Sequence, residues 1–153
     1  MKKSYAAVLI LIVGLASCVR PTDPNPSSLS NTQWSLITLR GQPTIEGVEY
    51  LEEDVALHSH PSLEFGNDTF KGYSGCNLFG GNYTATETTL MITEYGGHDV
   101  GCPDPVGQQE VDYYKALEEV TNYRIIDNHL ELANSIGTTI LVFASQVPDL
   151  ESF

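Results

Sequence analysis

The spacing of apolar and polar residues changes character several times along the chain. Behind Met1-Lys2-Lys3, Ala6 to Leu15 is an almost unbroken apolar run. At about ten residues it is half of the roughly 20 that a membrane-spanning helix needs. From Arg20 to Ser30 the pattern gives way to Pro, Ser, Asn and Asp, a composition that makes a tether rather than an element. Trp34-Ser35-Leu36-Ile37-Thr38-Leu39 is the first predicted strand, with Trp34 as a core anchor, and Gly41-Gln42-Pro43 is expected to break it. Thr44 to Leu57 mixes acids with scattered apolar residues and reads as a short strand or an irregular loop.

Ser62-Leu63-Glu64-Phe65 alternates, Gly66-Asn67-Asp68 supplies turn chemistry, and Thr69-Phe70-Lys71-Gly72-Tyr73 resumes, which predicts a hairpin. Glycines and aromatic residues then crowd the stretch 70–85. They predict two strands that bend sharply at Gly75-Cys76-Asn77 and kink again at Gly80-Gly81. Thr86-Glu87-Thr88-Thr89 is a turn into the strand Leu90-Met91-Ile92-Thr93. A single helix follows, with Asp104 as its expected N-cap and Pro105 at its first position. Val111, Tyr114, Leu117 and Val120, three residues apart, are its predicted buried stripe, with Glu110, Asp112, Lys115 and Glu118-Glu119 largely elsewhere. Tyr123-Arg124-Ile125-Ile126, the turn Asp127-Asn128 and Leu130-Glu131-Leu132 predict a second hairpin. Thr138 to Phe143 is the last strand, and Gln146 to Phe153 reads as an acidic tail. Short turns join most strands and only one connection holds a helix. The predicted fold is therefore α+β: a mostly antiparallel, curled β-sheet, partly open and barrel-like, with one packed α-helix.

Charge narrows the partners. With 20 Asp and Glu against 7 Lys and Arg, the net charge of −13 repels nucleic-acid phosphate and anionic lipid headgroups. No nucleic acid is expected as a partner, and membrane contact would need a hydrophobic or covalent anchor. The amino terminus offers one. A charged start and a short apolar run form the secretory signal pattern, and Leu15-Ala16-Ser17-Cys18 resembles the bacterial lipobox. In proteins with that motif the cysteine takes a diacylglyceryl group and becomes the first mature residue. The expectation is a signal peptide over 1–17, lipidated Cys18 and a linker over 18–30, a domain over 31–145 and a tail over 146–153. Two acyl chains give stable attachment, so the protein is expected on the outer side of a membrane. Val19, where retained lipoproteins of enteric bacteria carry Asp, points to an outer membrane if the source has one.

With Cys18 lipidated, Cys76 and Cys102 remain. Export meets oxidising conditions, and a bridge between the two would be worth about 3.5 kcal/mol by the chain-entropy relation. The alternative is a redox or nucleophilic thiol, with His98-Asp99 beside Cys102. His58-Ser59-His60, behind Glu52, Glu53 and Asp54, is the best metal candidate, set against a solvated polar loop. Gly72-Tyr73-Ser74-Gly75 falls short of the Gly-x-Ser-x-Gly nucleophile elbow. Tyr73, Phe79 and Tyr83 are either an exposed aromatic platform or core. No base, nucleophile and orienting group appear together, so no catalytic residue, resident metal or cofactor is expected.

Phe65-Gly66-Asn67-Asp68 through Gly75-Cys76-Asn77-Leu78-Phe79-Gly80-Gly81-Asn82-Tyr83 resembles the signature of the META domain (HslJ-like) family. So do Gly101-Cys102-Pro103, Glu110, Tyr113-Tyr114 and Leu117, with Trp34-Ser35-Leu36 and Leu141-Val142-Phe143 matching the family's ends. The resemblance implies a small α+β fold with a largely antiparallel sheet and a bridging cysteine pair. It further implies export or lipid anchoring and links to heat response, novobiocin resistance, secretion or motility, and virulence. It brings no catalytic residues. One departure stands out: many members carry a Thr shortly before the second cysteine, where this chain reads Gly97-His98-Asp99-Val100. The implied role is non-enzymatic, in binding or envelope stress, with a metal-handling lipoprotein as the alternative. No motif names an envelope protein or peptide partner.

Overall fold

The computed structural model describes residues 28–47 and 60–146. Cys18, the acids at 52–54, His58 and the segment 147–153 lie outside the described residues. The elements are β1 Thr32–Leu39, β2 Gln42–Pro43, β3 Ser62–Phe65, β4 Thr69–Tyr73, β5 Leu78–Ala85, β6 Leu90–Gly97, α1 Val106–Glu119, β7 Asn122–Ile126, β8 His129–Ala133 and β9 Thr139–Ser145. They make one sheet in the order β6-β5-β4-β3-β1-β9-β8-β7, with β2 folded back on β1. Every pairing is antiparallel.

The sheet curls until its two edge strands meet at one end. Thr89 bridges Asn122, Leu90 N–H donates to Thr121 O at 3.1 Å and Tyr123 N–H to Thr88 O at 2.9 Å. The curvature comes from register shifts at Leu36/Thr38, Gly80/Asn82 and Leu132/Ala133; an extra residue in one strand bends it and increases its twist. At Gly81 the two backbones are so close that an added Cβ would sit 2.7 Å from Tyr95 Cα. The expected half-barrel is therefore what forms, and its glycine pair is one of the bends.

Alternation decides what faces inward. Trp34 and Leu36 from β1, Leu63 and Phe65 from β3, Leu130 and Leu132 from β8, and Leu141 and Phe143 from β9 are all buried in one core. Trp34 also satisfies its indole, donating Nε1–H to Thr32 Oγ1 at 2.7 Å. Helix α1 joins β6 to β7 and turns Tyr113, Ala116 and Leu117 into that core. The Tyr113 ring meets Phe79 edge-on at 5.9 Å between centroids.

Several expectations are corrected. Arg40 and Gly41 adopt φ of 50° and 77°, so the chain reverses tightly and Gln42–Pro43 pairs with β1 instead of ending it. Strand β6 runs on through Tyr95-Gly96-Gly97 because β5 supplies partners to its end. Asp104 does not cap α1: Pro105 holds the cap position with no side-chain cap. The Pro103 carbonyl takes the Gly107 N–H at 3.0 Å instead. The buried stripe of α1 is Val106, Tyr113, Ala116, Leu117 and Val120, while Val111 is 45% exposed. A strict step of three residues drifts about 60° each time around a helix, so Val111 ends up roughly opposite Val120. Leu29, read as linker, is 1% exposed and belongs to the core. Gln146, read as tail, donates its N–H to Gln33 O at 2.9 Å.

Candidate functional site

The connection from β4 to β5 concentrates the polar chemistry of the domain. Gly75 takes φ 98°, a left-handed conformation that favours glycine. Ser74, fully buried, closes the turn on itself: its Oγ accepts Asn77 N–H at 2.8 Å and Cys76 N–H at 3.2 Å. The hydroxyl sits 2.5 Å from Glu110 Oε1 and donates to it. Asn77, also buried, ties the turn to the loop after β6. Its Oδ1 accepts Val100 N–H at 3.0 Å and its Nδ2 donates to Val100 O at 2.9 Å. The same amide nitrogen reaches Glu110 Oε1 at 3.0 Å and Cys76 Sγ at 3.2 Å.

Those contacts bring Cys102 beside Cys76, with Cα atoms 6.2 Å apart and the sulfurs within bonding distance. Cys76 is buried and Cys102 half-buried. Glu110 arrives from the first half of α1, where it lies four residues after Val106 and three before Tyr113, on the inward stripe. The stripe expected from the sequence leaves it largely elsewhere. A carboxylate at the spacing of Val106 and Tyr113 is the signal that identifies it. The Cys76, Cys102 and Glu110 ligand atoms all lie within 4.8 Å of one another.

Ring electrostatics follow the same geometry. Burial pushes the Tyr114 hydroxyl up to about 12; a hydrogen bond with Ser74 opposes this and the Glu110 charge adds to it. Tyr95 is likewise raised to about 12, by burial first and then by Glu118, to which its hydroxyl donates at 2.9 Å. On the other flank, segment 44–47 is strapped to the bend. Ile45 N–H donates to Gln109 Oε1 at 2.8 Å and Gln109 Nε2 donates back to Ile45 O at 3.0 Å. A Cβ added to Gly47 would lie 2.7 Å from Gly75 Cα, so the two backbones pass in direct contact. His60 Nε2 is 4.0 Å from Glu46 Oε1, and its Nδ1 is buried without a hydrogen-bond partner among the described residues.

Of the residues singled out by sequence, the fold unites Cys76 with Cys102. It puts His98 and Asp99 on an exposed loop and buries Tyr73, Phe79 and Tyr83. The aromatic-platform reading is overturned, because the inward face of the curled sheet claims Phe79 and Tyr83 and Tyr73 is covered as well. Tyr83 spends its hydroxyl on Gly66 O at 2.7 Å.

A META domain model matches residues 27–147. The chain belongs to the META domain family. The META match reaches back past Leu29, in keeping with that residue's burial. Among solved structures, an NMR structure of a protein from Burkholderia xenovorans is similar at TM-score 0.58 and 21% identity, covering 96% of this chain and 99% of that one. A crystal structure of a DUF4847 family protein from Bacteroides vulgatus is similar at TM-score 0.50 and 14% identity, covering 76% of this chain and 93% of that one. These likenesses are of fold. No curated protein matches the META chain in sequence.

Proposed function

We propose that this META-domain protein is an exported lipoprotein, held on the outer side of a membrane through Cys18, whose body has a non-enzymatic binding or envelope-stress role. The observation that carries it is the apportioning of sulfur. Cys76 and Cys102 stand side by side in the folded domain, which leaves Cys18, behind small residues and an apolar run, as the one cysteine for the lipid. A bridged pair inside the body suits an oxidising compartment. The non-enzymatic reading is supported by the use of each reactive group: Ser74 is buried in its own turn, Cys102 sits against Cys76, and His98 and Asp99 face solvent.

Mass spectrometry of the chain from native membranes tests this. The expected peptides carry a diacylglycerylated Cys18 at the new amino terminus and a Cys76–Cys102 cross-link that reduction releases. An unmodified Cys18, or two alkylatable thiols in the body, would sink the reading. A metal-handling lipoprotein is the second reading, and the Nδ1 of His60 beside Glu46, without a partner among the described residues, favours it. Calorimetry with zinc or copper checks it: binding that H58A and H60A abolish would support it, and no heat would remove it.

A further inference from the structure

We propose that Cys76, Cys102 and Glu110 bind a thiophilic divalent cation of the zinc class when the cysteine pair is reduced. This rests on the proposed function only for the pair being bridged in the resting protein. Three potential ligand atoms lie within 4.8 Å of one another, so a small adjustment brings them to the ~3.5–4 Å separations of a tetrahedral site. A set of two thiolates with one carboxylate pairs two soft donors with one hard one, and the thiolates decide the preference. The set suits zinc and cobalt over magnesium or calcium, and leaves a fourth position for solvent.

The surroundings of the three groups fit that role. Asn77 Nδ2 donates to Cys76 Sγ at 3.2 Å and to Glu110 Oε1 at 3.0 Å, so one amide orients two of the three ligands, as outer partners of metal ligands do. Val100 in turn fixes that amide through both its N–H and its C=O. Cys76 is held in the buried turn, whereas Cys102 is half-buried on a loop with no helix or strand of its own. A metal-bridged pair stands wider than a bonded one, so one sulfur has to move. The proposal assigns that movement to Cys102, half-buried on a loop, since Cys76 is buried in the turn.

The chemistry balances with one co-reactant. A dithiol attacks the bridge by thiol–disulfide exchange, gives up two electrons and two protons, and leaves as its own disulfide. The cation then displaces two protons from the freed thiols as both sulfurs become ligands. The sum is one chelated cation, one oxidised dithiol and two released protons.

The test uses the mature chain, reduced with a phosphine, freed of it under anaerobic conditions and titrated with Co²⁺. A thiolate-to-cobalt charge-transfer band saturating at one metal per chain is expected, bleached by added Zn²⁺ and absent from the oxidised protein. C76S and C102S should each lose the band, E110Q should bind at least about tenfold more weakly, and H60A should bind as the unmodified chain does. If E110Q fails to fold by circular dichroism, E110D, which draws the carboxylate back by one methylene, must show the weakening with a native spectrum. No band in the reduced chain, whether folded or unfolded, overturns the proposal, as does E110Q or E110D binding at full strength. Thiol counting before reduction keeps the two ideas apart: free thiols at rest sink the bridge, while the cobalt titration still decides the metal site.

Discussion

Two hairpin connections of the same sheet are built in opposite ways. Between β7 and β8, Asp127 and Asn128 take φ of 46° and 62°, and the register runs without a shift from Asn122–Ala133 to Ile126–His129. Such a two-residue turn matches the strands' twist through its backbone alone, and both residues are exposed. Between β4 and β5, the turn at Ser74-Gly75-Cys76-Asn77 is held by side chains: Ser74 and Asn77 from within, Glu110 from α1 and Cys102 from the loop after β6, with the Asn77 amide gripping the backbone of Val100. One turn takes its shape from the backbone of its own two residues, with Asn128 O also accepting Ser145 N–H at 2.9 Å. The other is specified by residues up to 36 positions away. A buried polar cluster holds a single geometry when every member is satisfied and is costly when one is not. The bend is thus the place where a local change has distant effects.

Removing the cross-link should give the largest separation between the two turns. Cys102→Ala, compared with the oxidised chain in urea, is expected to lower unfolding free energy by about 3.5 kcal/mol. Asn128→Gly, at a position whose left-handed backbone glycine adopts freely, should stay within about 0.5 kcal/mol. Equal losses would mean that the bend owes its shape to backbone as the hairpin does.

The next largest effect isolates the amide from the sulfur. Asn77→Ala takes one of Glu110's hydrogen-bonding side chains and the Asn77 partner of both Val100 backbone groups and should cost about 2–3 kcal/mol. Amide exchange at Val100 should quicken while exchange across β7–β8 stays at its starting rate. Protection at Val100 unchanged in the variant would show that the loop after β6 is held by something else.

The same contrast explains what could be read before the fold was known. The β7–β8 hairpin follows from alternation and an Asp-Asn pair, because its information is local. The glycine bend was visible as a bend, since Gly75 and Gly80-Gly81 mark backbone that does not run straight. Of its partners, Cys102 is expected from the sequence as the mate of Cys76, whereas the hydrogen bonds that Glu110 and Val100 make to the turn are not legible there. A stripe of Val111, Tyr114, Leu117 and Val120 leaves Glu110 largely elsewhere, and that phase conceals an acidic side chain that reaches the turn. Leu29 was lost in the Pro- and Ser-rich composition around it, although a lone Leu beside β1 can fill a core pocket. The long-range pairing of segment 44–47 with Gln109 has no pattern in sequence at all, since a Gln amide meeting a backbone amide leaves no periodic trace.

Alkaline titration sharpens the comparison further. Tyr114, hydrogen-bonded to Ser74 of the bend, and Tyr95, stacked on Tyr114, hold their protons to about 12, whereas an unfolded tyrosine ionises near 10. Their folded values are raised, so the stability they contribute is complete below pH ~10 and is lost as pH climbs through their folded range. After discounting for solvent exposure, Tyr114→Phe should remove about 1 kcal/mol of that alkaline loss and leave neutral stability nearly unchanged. Tyr123 on β7 is also raised, by burial first, and Tyr123→Phe should flatten the curve less. Urea midpoints measured from neutral pH to pH ~12, alongside tyrosinate absorbance, check the order. A larger flattening from Tyr123→Phe would reverse it.

The smallest effect is expected where the hairpin does use side chains. Arg124 and Glu131 face each other across β7 and β8, with Arg124 Nε donating to Glu131 Oε2 at 2.8 Å. The Arg124 side chain is 61% exposed, so water and salt screen the pair, and Arg124→Gln should cost about 0.5 kcal/mol, less in high salt. Register and turn survive that loss because Asp127 and Asn128 set them without help from the pair. Amide exchange through β8 should therefore match the unmodified chain. Were Arg124→Gln to cost as much as Asn77→Ala, the hairpin too would depend on its side chains, and the division between a backbone-made turn and a side-chain-made turn would not stand.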